Sequence, residues 1–213
     1  MNPLMRRARG LVGLVVLLLV AALSACTGSL LESKVAEPQV YVLHNGGVPT
    51  ASVAYPIQLS IALPSAAPGL DTTRIAVLRN GNQLDYYYGA RWGGTAPQVL
   101  QTFLVSYLQR SQGFKSVVSE DARIDADYLL DVQLQDFQAE YADAATAPTI
   151  HVALVAQLID IKARKTIATL NAQASVTATE NRLSAAITAF QTAAQQATAA
   201  LAQQLTVALS QPN

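Results

Sequence analysis

The sequence contains one cysteine, Cys26, and its surroundings determine what its thiol can do. A chain with a single cysteine cannot form an internal disulfide bond, so this thiol is free for another reaction. Three arginines precede it within the first nine residues, and the segment from Leu11 to Leu23 is apolar and uncharged. The small residues Ser24 and Ala25 follow directly before the cysteine. This order is typical of a secretory signal, and it predicts that residues 1–25 are removed.

The residues Leu23-Ser24-Ala25-Cys26 resemble the lipobox of bacterial lipoproteins. The resemblance implies that the thiol receives a diacylglycerol and that the new amino terminus receives a further acyl chain. The alternative is an uncleaved signal anchor, but the apolar run is shorter than the roughly 20 residues that span a bilayer. We therefore predict lipidation at Cys26. Two or more acyl chains at this position would give stable anchoring in a membrane. Lipoproteins kept in the inner membrane commonly carry aspartate after this cysteine, so Thr27 predicts the outer membrane.

The charged residues argue against one class of partner. Three of the 14 basic residues lie before Cys26, which leaves 11 basic against 14 acidic residues and a net charge of about −3 in the mature chain. Nucleic-acid-binding domains normally carry a basic face, so no nucleic-acid partner is predicted. We expect a signal peptide over residues 1–25, a lipidated tether over 26–38 and a single periplasmic domain over 39–213, a length suited to one core.

Hydrophobic periodicity predicts how the first half of the domain folds. Short strands are expected at Val40–Leu43, Pro56–Leu63, Arg74–Leu78, Gln83–Tyr88 and Val117–Val118. In the second of these, alternation predicts Ile57, Leu59, Ile61 and Leu63 on one side. A tight turn at Asn80-Gly81-Asn82 joins the third and fourth strands into a hairpin. A helix is predicted with Thr95 as N-cap, Pro97 in its first turn and Gly113 as C′ residue. Its apolar face comprises Val99, Leu100, Phe103, Leu104, Tyr107 and Leu108.

In the second half of the domain, hydrophobic periodicity predicts three longer strands and a long helix. The strands Tyr128–Tyr141, Thr149–Ile161 and Thr166–Ala178 are joined by short connections and should form an antiparallel meander. The final helix carries a narrow stripe of small and apolar residues, namely Ile187, Phe190, Ala194, Ala197, Leu201, Leu205, Ala208 and Leu209. The predicted fold class is α+β: a mostly antiparallel β-sheet with two amphipathic helices packed on one face.

Few residues of the sequence suggest catalysis. The two histidines are His44, in a predicted loop, and His151, on the predicted outward face of a strand, and neither has a carboxylate partner that the sequence supports. A metal site needs more ligands than these two histidines, and neither a Gly-x-Ser-x-Gly elbow nor a phosphate-binding glycine-rich loop is present. We therefore predict a non-enzyme without a metal or cofactor.

One segment is unusually rich in side chains that form binding hot spots. Tyr86, Tyr87, Tyr88, Arg91 and Trp92 lie within seven residues, and residues of these three types dominate protein interfaces. Strand alternation places the first and third tyrosines on one face and the second on the other. The segment is a candidate partner-binding surface, with Asp85 expected to pair with Arg91. The alternative is that its rings cap the sheet.

Motifs along most of the mature chain resemble those of ABC-type transport auxiliary lipoproteins. They are Pro68 to Val77, Leu84 to Trp92, Leu100 to Leu108, Gly113-Phe114, Ala126 to Leu130 and Asp136 to Tyr141. The resemblance implies a partner with mammalian-cell-entry (MCE) domains and an associated inner-membrane ABC permease and ATPase. It implies transport of lipids or other hydrophobic molecules, and it transfers no catalytic residue.

The resulting functional prediction is a non-catalytic, outer-membrane-anchored subunit that docks or assembles such a transport path. One alternative is a periplasmic carrier that binds a hydrophobic ligand itself, which a hollow core would favour. Another is a lipoprotein regulator of cell-wall synthesis. The sequence leaves the subunit number open, a homo-oligomer included.

Overall fold

A nine-stranded mixed sheet organises residues 37–211, the part of the chain that this computed structural model describes. The strands are β1 (Gln39–Tyr41), β2 (Tyr55–Ile61), β3 (Ser65–Ala66), β4 (Arg74–Arg79), β5 (Gln83–Trp92), β6 (Phe114–Ser119), β7 (Tyr128–Tyr141), β8 (Thr149–Asp160) and β9 (Lys165–Thr177). The helices are α1 (Ala96–Arg110), α2 (Leu183–Ser210) and a 3₁₀ turn at Glu120–Ala122. A compact unit begins at Pro38. The predicted signal peptide and Cys26 lie outside the described residues.

Strand β7 is the centre of the sheet. One of its edges pairs antiparallel with β8, which pairs antiparallel with β9, so the predicted meander is confirmed. Its other edge pairs in parallel with β2, β3 and β4 in succession. Strand β6 extends the sheet from β2, and β5 and β1 extend it from β4. The α+β class is confirmed, and the longest ladders are antiparallel, but the parallel pairings make the sheet mixed.

A bulge in β7 changes which residues face the core. The register with β8 shifts between Leu134 and Asp136, so Gln135 is an extra residue. The buried positions before it continue the predicted alternation, whereas Phe137, Ala139 and Tyr141 are buried after it. A bulge of this kind bends its strand and increases the local twist. The bend allows β7 to pair with several strands along its length and to curve around the helices.

Helix α1 begins as predicted and ends differently. Thr95 is the N-cap, and its backbone N–H donates to Gln98 Oε1 at 2.9 Å. The predicted face is buried except for the half-buried Val99. Gln112, with φ of 57°, takes the left-handed position expected for Gly113. Gly113 serves a close approach instead, because a Cβ there would lie 3.1 Å from the Ala51 side chain.

Helix α2 packs on β8 and β9 along a stripe that is nearly the predicted one. Phe190, Ala197, Leu201 and Leu205 are fully buried, whereas Ile187 and the last apolar residues lie at the rim. The helix is rich in alanine on this side, so its backbone can approach the sheet closely. No helix within residues 37–211 has both the length and the apolar character needed to cross a bilayer.

Several strands differ from their predicted bounds: β5 continues to Trp92, β1 ends at Tyr41 and β3 was not predicted. Strand β2 ends at Ile61, so Leu63 is 53% exposed rather than on the buried side. Strand β6 begins at Phe114, earlier than predicted, because it pairs in parallel with β2 from Tyr55 onward. Parallel partners are distant in sequence, and local alternation carries no information about them.

Candidate functional site

The tyrosine-rich segment lies in an irregular part of β5. Arg74 of β4 pairs with Arg91, whereas Ala76 pairs with Tyr86, so β5 contains three more residues than β4 between these two pairs. Gly89 adopts a φ of 66° inside this bulge, a conformation that glycine tolerates without strain. The bulge turns neighbouring side chains in different directions. The five predicted site residues therefore have different environments.

Trp92 lies in the core and not on the surface. Its side chain is 1% exposed, and its ring centroid lies 5.4 Å from that of Phe137 and 5.2 Å from that of Phe190. These three aromatic rings join β5, β7 and α2 and fill the space between the sheet and the helix. The capping interpretation is therefore the correct one for this residue, which is not accessible to a partner in this conformation.

Tyr87 and Tyr86 both bond within the domain. The hydroxyl groups of Tyr87 and Tyr141 lie 2.9 Å apart, and burial followed by this hydrogen bond raises the pKa of Tyr87 well above its usual range. On the other side, the Tyr86 hydroxyl donates to the Gly69 carbonyl at 3.0 Å. The Arg74 guanidinium lies 3.5 Å from the centroid of the Tyr86 ring, a cation–π contact. Both tyrosines thus stabilise the shape of the segment.

The expected ion pair between Asp85 and Arg91 is wrong. Asp85 lies 3.6 Å from the Arg79 guanidinium, and its carboxylate accepts the backbone N–H of Tyr86 at 2.8 Å. Arg79 is the last residue of β4, directly across the tight turn, so the hairpin brings it closer than the bulge brings Arg91. This pair is exposed and contributes at most about 1 kcal/mol.

Tyr88 and Arg91 are the predicted site residues that remain at the surface. Tyr88 is 90% exposed, and Arg91 is exposed directly opposite Arg74. Both line an open cleft of about 610 Å³, together with Pro38, Arg74 and Arg79. Arg74 was not predicted as a site residue, because only the β4–β5 register brings it beside Arg91. The cleft combines aromatic rings with three guanidinium groups and one carboxylate, that of Asp85, so its net positive charge suits anionic ligands.

Comparison with known families identifies the chain. Residues 41–211 match the family model for the ABC-type transport auxiliary lipoprotein component. The match covers most of the chain. The protein belongs to this family. The auxiliary lipoprotein is therefore a component associated with an ABC-type transporter, and membership of a lipoprotein family implies a membrane-anchored location in the cell envelope.

Solved structures share the fold of the auxiliary lipoprotein. A Xanthomonas campestris protein of the DUF330 family is 26% identical, with a TM-score of 0.67, over 81% of this chain and 94% of that chain. A protein described as uncharacterized is 13% identical, with a TM-score of 0.61, over 80% of this chain and 99% of that one, and shows the fold alone. No curated protein matches the chain.

The auxiliary lipoprotein also contains a histidine–carboxylate pair that the sequence did not indicate. On the outward face of the meander, His151 Nε2 lies 3.2 Å from Glu140 and its Nδ1 lies 2.9 Å from the Ser175 hydroxyl. The three residues lie on adjacent strands β7, β8 and β9. Their closeness depends on the register of two hairpins, which local sequence patterns do not reveal. These three side chains are partly exposed on the outward face of the sheet, and their geometry is that of a cross-strand hydrogen-bond ladder.

Two clefts, one of mixed polarity and one mainly apolar, flank the C-terminal end of α2 in the auxiliary lipoprotein. One, of about 530 Å³, lies against β9 at Ile167 and Leu170, and the other, of about 480 Å³, lies against Tyr107 and Phe114. Val207 borders both clefts and is 58% exposed. The space between the sheet and the helices is filled by side chains, so these clefts are surface features.

Proposed function

We propose that this chain is a non-catalytic outer-membrane lipoprotein subunit of an MCE/ABC-type envelope transport system. In this proposal it docks or assembles the path along which lipids or other hydrophobic molecules move between membranes. The single observation that carries the proposal is the family match over residues 41–211 in a chain that also has a lipobox ending at Cys26. Thr27 supports the outer membrane as the site of anchoring.

The physical argument for a docking subunit concerns the medium between the membranes. Apolar molecules cross water poorly because transferring apolar surface into water is unfavourable. A transport path therefore needs protein at both ends, and a lipid anchor in the outer membrane would hold this domain at one of them. The sequence has no glycine-rich phosphate-binding loop, so nucleotide hydrolysis would be supplied by the ATPase of the system.

A crosslinked pull-down from native membranes tests this proposal. The full-length chain is crosslinked in cells, recovered through a C-terminal tag, and probed for an MCE-domain protein and for the ABC permease. We expect both proteins with the wild-type chain. We expect reduced recovery from a Cys26→Ala variant, because the domain would then lose its position at the membrane. Recovery of cell-wall synthases without an MCE-domain protein would reject the proposal in favour of a regulator.

The filled core does not favour the alternative of a hydrophobic-ligand carrier, so a carrier would have to bind its ligand in a surface cleft beside α2. Ala202 lines the cleft near Phe114, so Ala202→Trp would fill it, whereas Thr192→Trp adds the same ring at an exposed position of the same helix. Binding of a fluorescent fatty acid that only the first variant abolishes would support the carrier. Equal or absent binding in the wild type and both variants would reject it.

A further inference from the structure

Two arginines lie directly opposite each other near the start of the domain. Arg74 of β4 pairs in register with Arg91 of β5, and Val40 of β1 pairs with Arg91 from the other side. Residues directly opposite on neighbouring strands share a face of the sheet and have closely spaced side chains. Val40, Arg91 and Arg74 therefore form one row across three strands.

This row has no counter-charge of its own. Within residues 37–211, no carboxylate oxygen lies within 4.0 Å of either guanidinium, and the nearby Asp85 pairs with Arg79 instead. Like charges directly opposite each other destabilise a sheet. The contact between Arg74 and the Tyr86 ring offsets part of this cost. An anion from outside the domain would remove the remaining repulsion.

Exposed apolar and aromatic side chains surround the two arginines. Val40 and Val42 of the first strand and its extension are 52% and 50% exposed, and Tyr88 is 90% exposed. We name Val40, Val42, Arg74, Tyr88 and Arg91 the arginine–tyrosine patch. Guanidinium groups bind phosphate through paired hydrogen bonds, and tyrosine rings are enriched at the headgroup level of membranes. Exposed apolar side chains add burial at the boundary of the acyl chains.

The place of the patch along the chain points to the same occupant. Pro38 lines the cleft that contains Arg74 and Arg91, and it follows Cys26 by 12 residues. A fully extended tether of this length reaches about 40 Å at most, so a lipid on Cys26 would keep the patch close to a bilayer. This step depends on the lipid anchor of the proposed function.

We infer that the arginine–tyrosine patch binds anionic phospholipid headgroups of the membrane in which the chain is anchored. Phosphate oxygens would lie between Arg74 and Arg91 and supply the counter-charge that the sheet lacks. The contact would orient the domain on the membrane, a role beyond docking to a transport partner. The mature chain is acidic as a whole, so the binding depends on this local group of arginines.

Vesicle sedimentation tests the inference directly. The mature chain with Cys26→Ser lacks lipid, and its hydrophobic core lies within residues 59–205, so it keeps the elements needed to fold. We expect it to sediment with phosphatidylethanolamine vesicles that contain phosphatidylglycerol but not with phosphatidylcholine vesicles, and to be released by salt. Arg74→Gln and Arg91→Gln should each weaken binding about fivefold.

Matched variants separate charge from folding. The double lysine variant, R74K with R91K, keeps the charge and should bind more tightly than either glutamine variant but more weakly than the wild type, because lysine lacks the paired hydrogen bonds of a guanidinium. A cooperative melting curve checks that this variant is folded. Arg182→Gln removes an exposed arginine outside the patch, paired with Glu180 at 2.7 Å, and should bind as the wild type does. Equal sedimentation with neutral vesicles, or unchanged binding of both Arg74→Gln and Arg91→Gln, would overturn the inference.

A third outcome distinguishes a protein partner from a membrane. The wild type could fail to sediment with anionic vesicles while Arg91→Gln abolishes recovery of the MCE-domain protein. In that case the patch binds an acidic protein segment, and the lipid inference is wrong. If the wild-type chain binds anionic vesicles but recovers no MCE-domain protein, the proposed function fails and the inference stands. The two hypotheses therefore fail in different measurements.

Discussion

The hydroxyl groups of Tyr87 and Tyr141 lie 2.9 Å apart and join β5 to the end of β7. Their rings meet edge to face, with centroids 6.4 Å apart, and the Arg79 guanidinium lies 5.1 Å from the Tyr141 centroid. This contact connects the irregular strand β5 to β7, the central strand of the sheet. The middle tyrosine of the aromatic segment is therefore part of the fold, whereas Tyr88 beside it is free to contact other molecules.

Removing the Tyr87 hydroxyl should destabilise the domain slightly. Tyr87→Phe deletes the hydrogen bond to Tyr141 and keeps the ring packing, so we expect a loss of about 0.5–1.5 kcal/mol in the free energy of unfolding. Urea unfolding followed by circular dichroism measures the change. Tyr88→Phe is the matched control and should change stability by less than about 0.5 kcal/mol. Equal effects of the two substitutions would contradict this role for Tyr87.

Tyr87 should also make the stability of the domain depend on alkaline pH. Burial and the bond to Tyr141 raise its pKa in the folded state, so folding favours the protonated phenol. Its contribution is complete below the unfolded pKa of about 10 and is lost as the pH rises above that value. The wild type should therefore lose more stability than Tyr87→Phe between neutral and strongly alkaline pH. Parallel pH profiles for the two proteins would show that Tyr87 ionises normally.

Cys26→Ala should release the domain from the membrane or leave the signal uncut. The thiol is the predicted attachment point, and the sequence contains no other cysteine that could replace it. Fractionation combined with metabolic labelling by a palmitate analogue measures both outcomes. A variant that is labelled and membrane-bound like the wild type would exclude Cys26 as the lipidation site.

Leu104→Ala should destabilise the domain strongly. Leu104 is fully buried on the face of α1, so its truncation should cost about 2–5 kcal/mol. Thermal and urea unfolding measure this cost. Leu63→Ala is a matched control because Leu63 is 53% exposed, and its effect should be much smaller. Unchanged melting of the Leu104 variant would mean that the buried face of α1 is incorrectly assigned.

Gln204→Ala should loosen the outer edge of β9. The Gln204 side chain donates to the Asn171 carbonyl at 2.7 Å and accepts the Asn171 N–H at 3.1 Å, as a neighbouring strand would. Its removal exposes these groups to water, so hydrogen exchange at the Asn171 amide should become faster. Gln203→Ala is the control, since no such bond to β9 involves its side chain within residues 37–211. Equal protection in both variants would contradict this role.

Sequence periodicity predicted the parts of the fold that depend on near neighbours. The hairpin at Asn80-Gly81, the meander from β7 to β9 and both helices rest on spacings of two to four residues, which the chain displays directly. The turn was predictable from local sequence, because Asn80 and Gly81 both have the positive φ that their residue types favour. Local physics therefore determined these elements.

The remaining features depend on contacts between distant residues. The parallel pairing of β2, β3 and β4 with β7, and the bulge at Gln135, have no local periodic signature. The arrangement of the candidate site also depends on contacts between distant residues. Aromatic density identified the segment, but only the β5 bulge determined that Trp92 is buried, that Tyr88 is exposed and that Arg91 faces Arg74.

The shared edge of β7 has a consequence for the order in which the chain can fold. Ribosomes release the N-terminal residues first, and β2, β3 and β4 are all complete before Tyr128 is synthesised. Their common parallel partner therefore does not yet exist when they emerge. The β4–β5 hairpin and the β2–β6 pair can form earlier, but β2, β3 and β4 cannot join one sheet before residues 128–141 are made, and until then their free edges are open to aggregation. The domain therefore cannot complete its fold until more than half of the chain has been made, and an incompletely folded chain is the state that a protein-export channel requires.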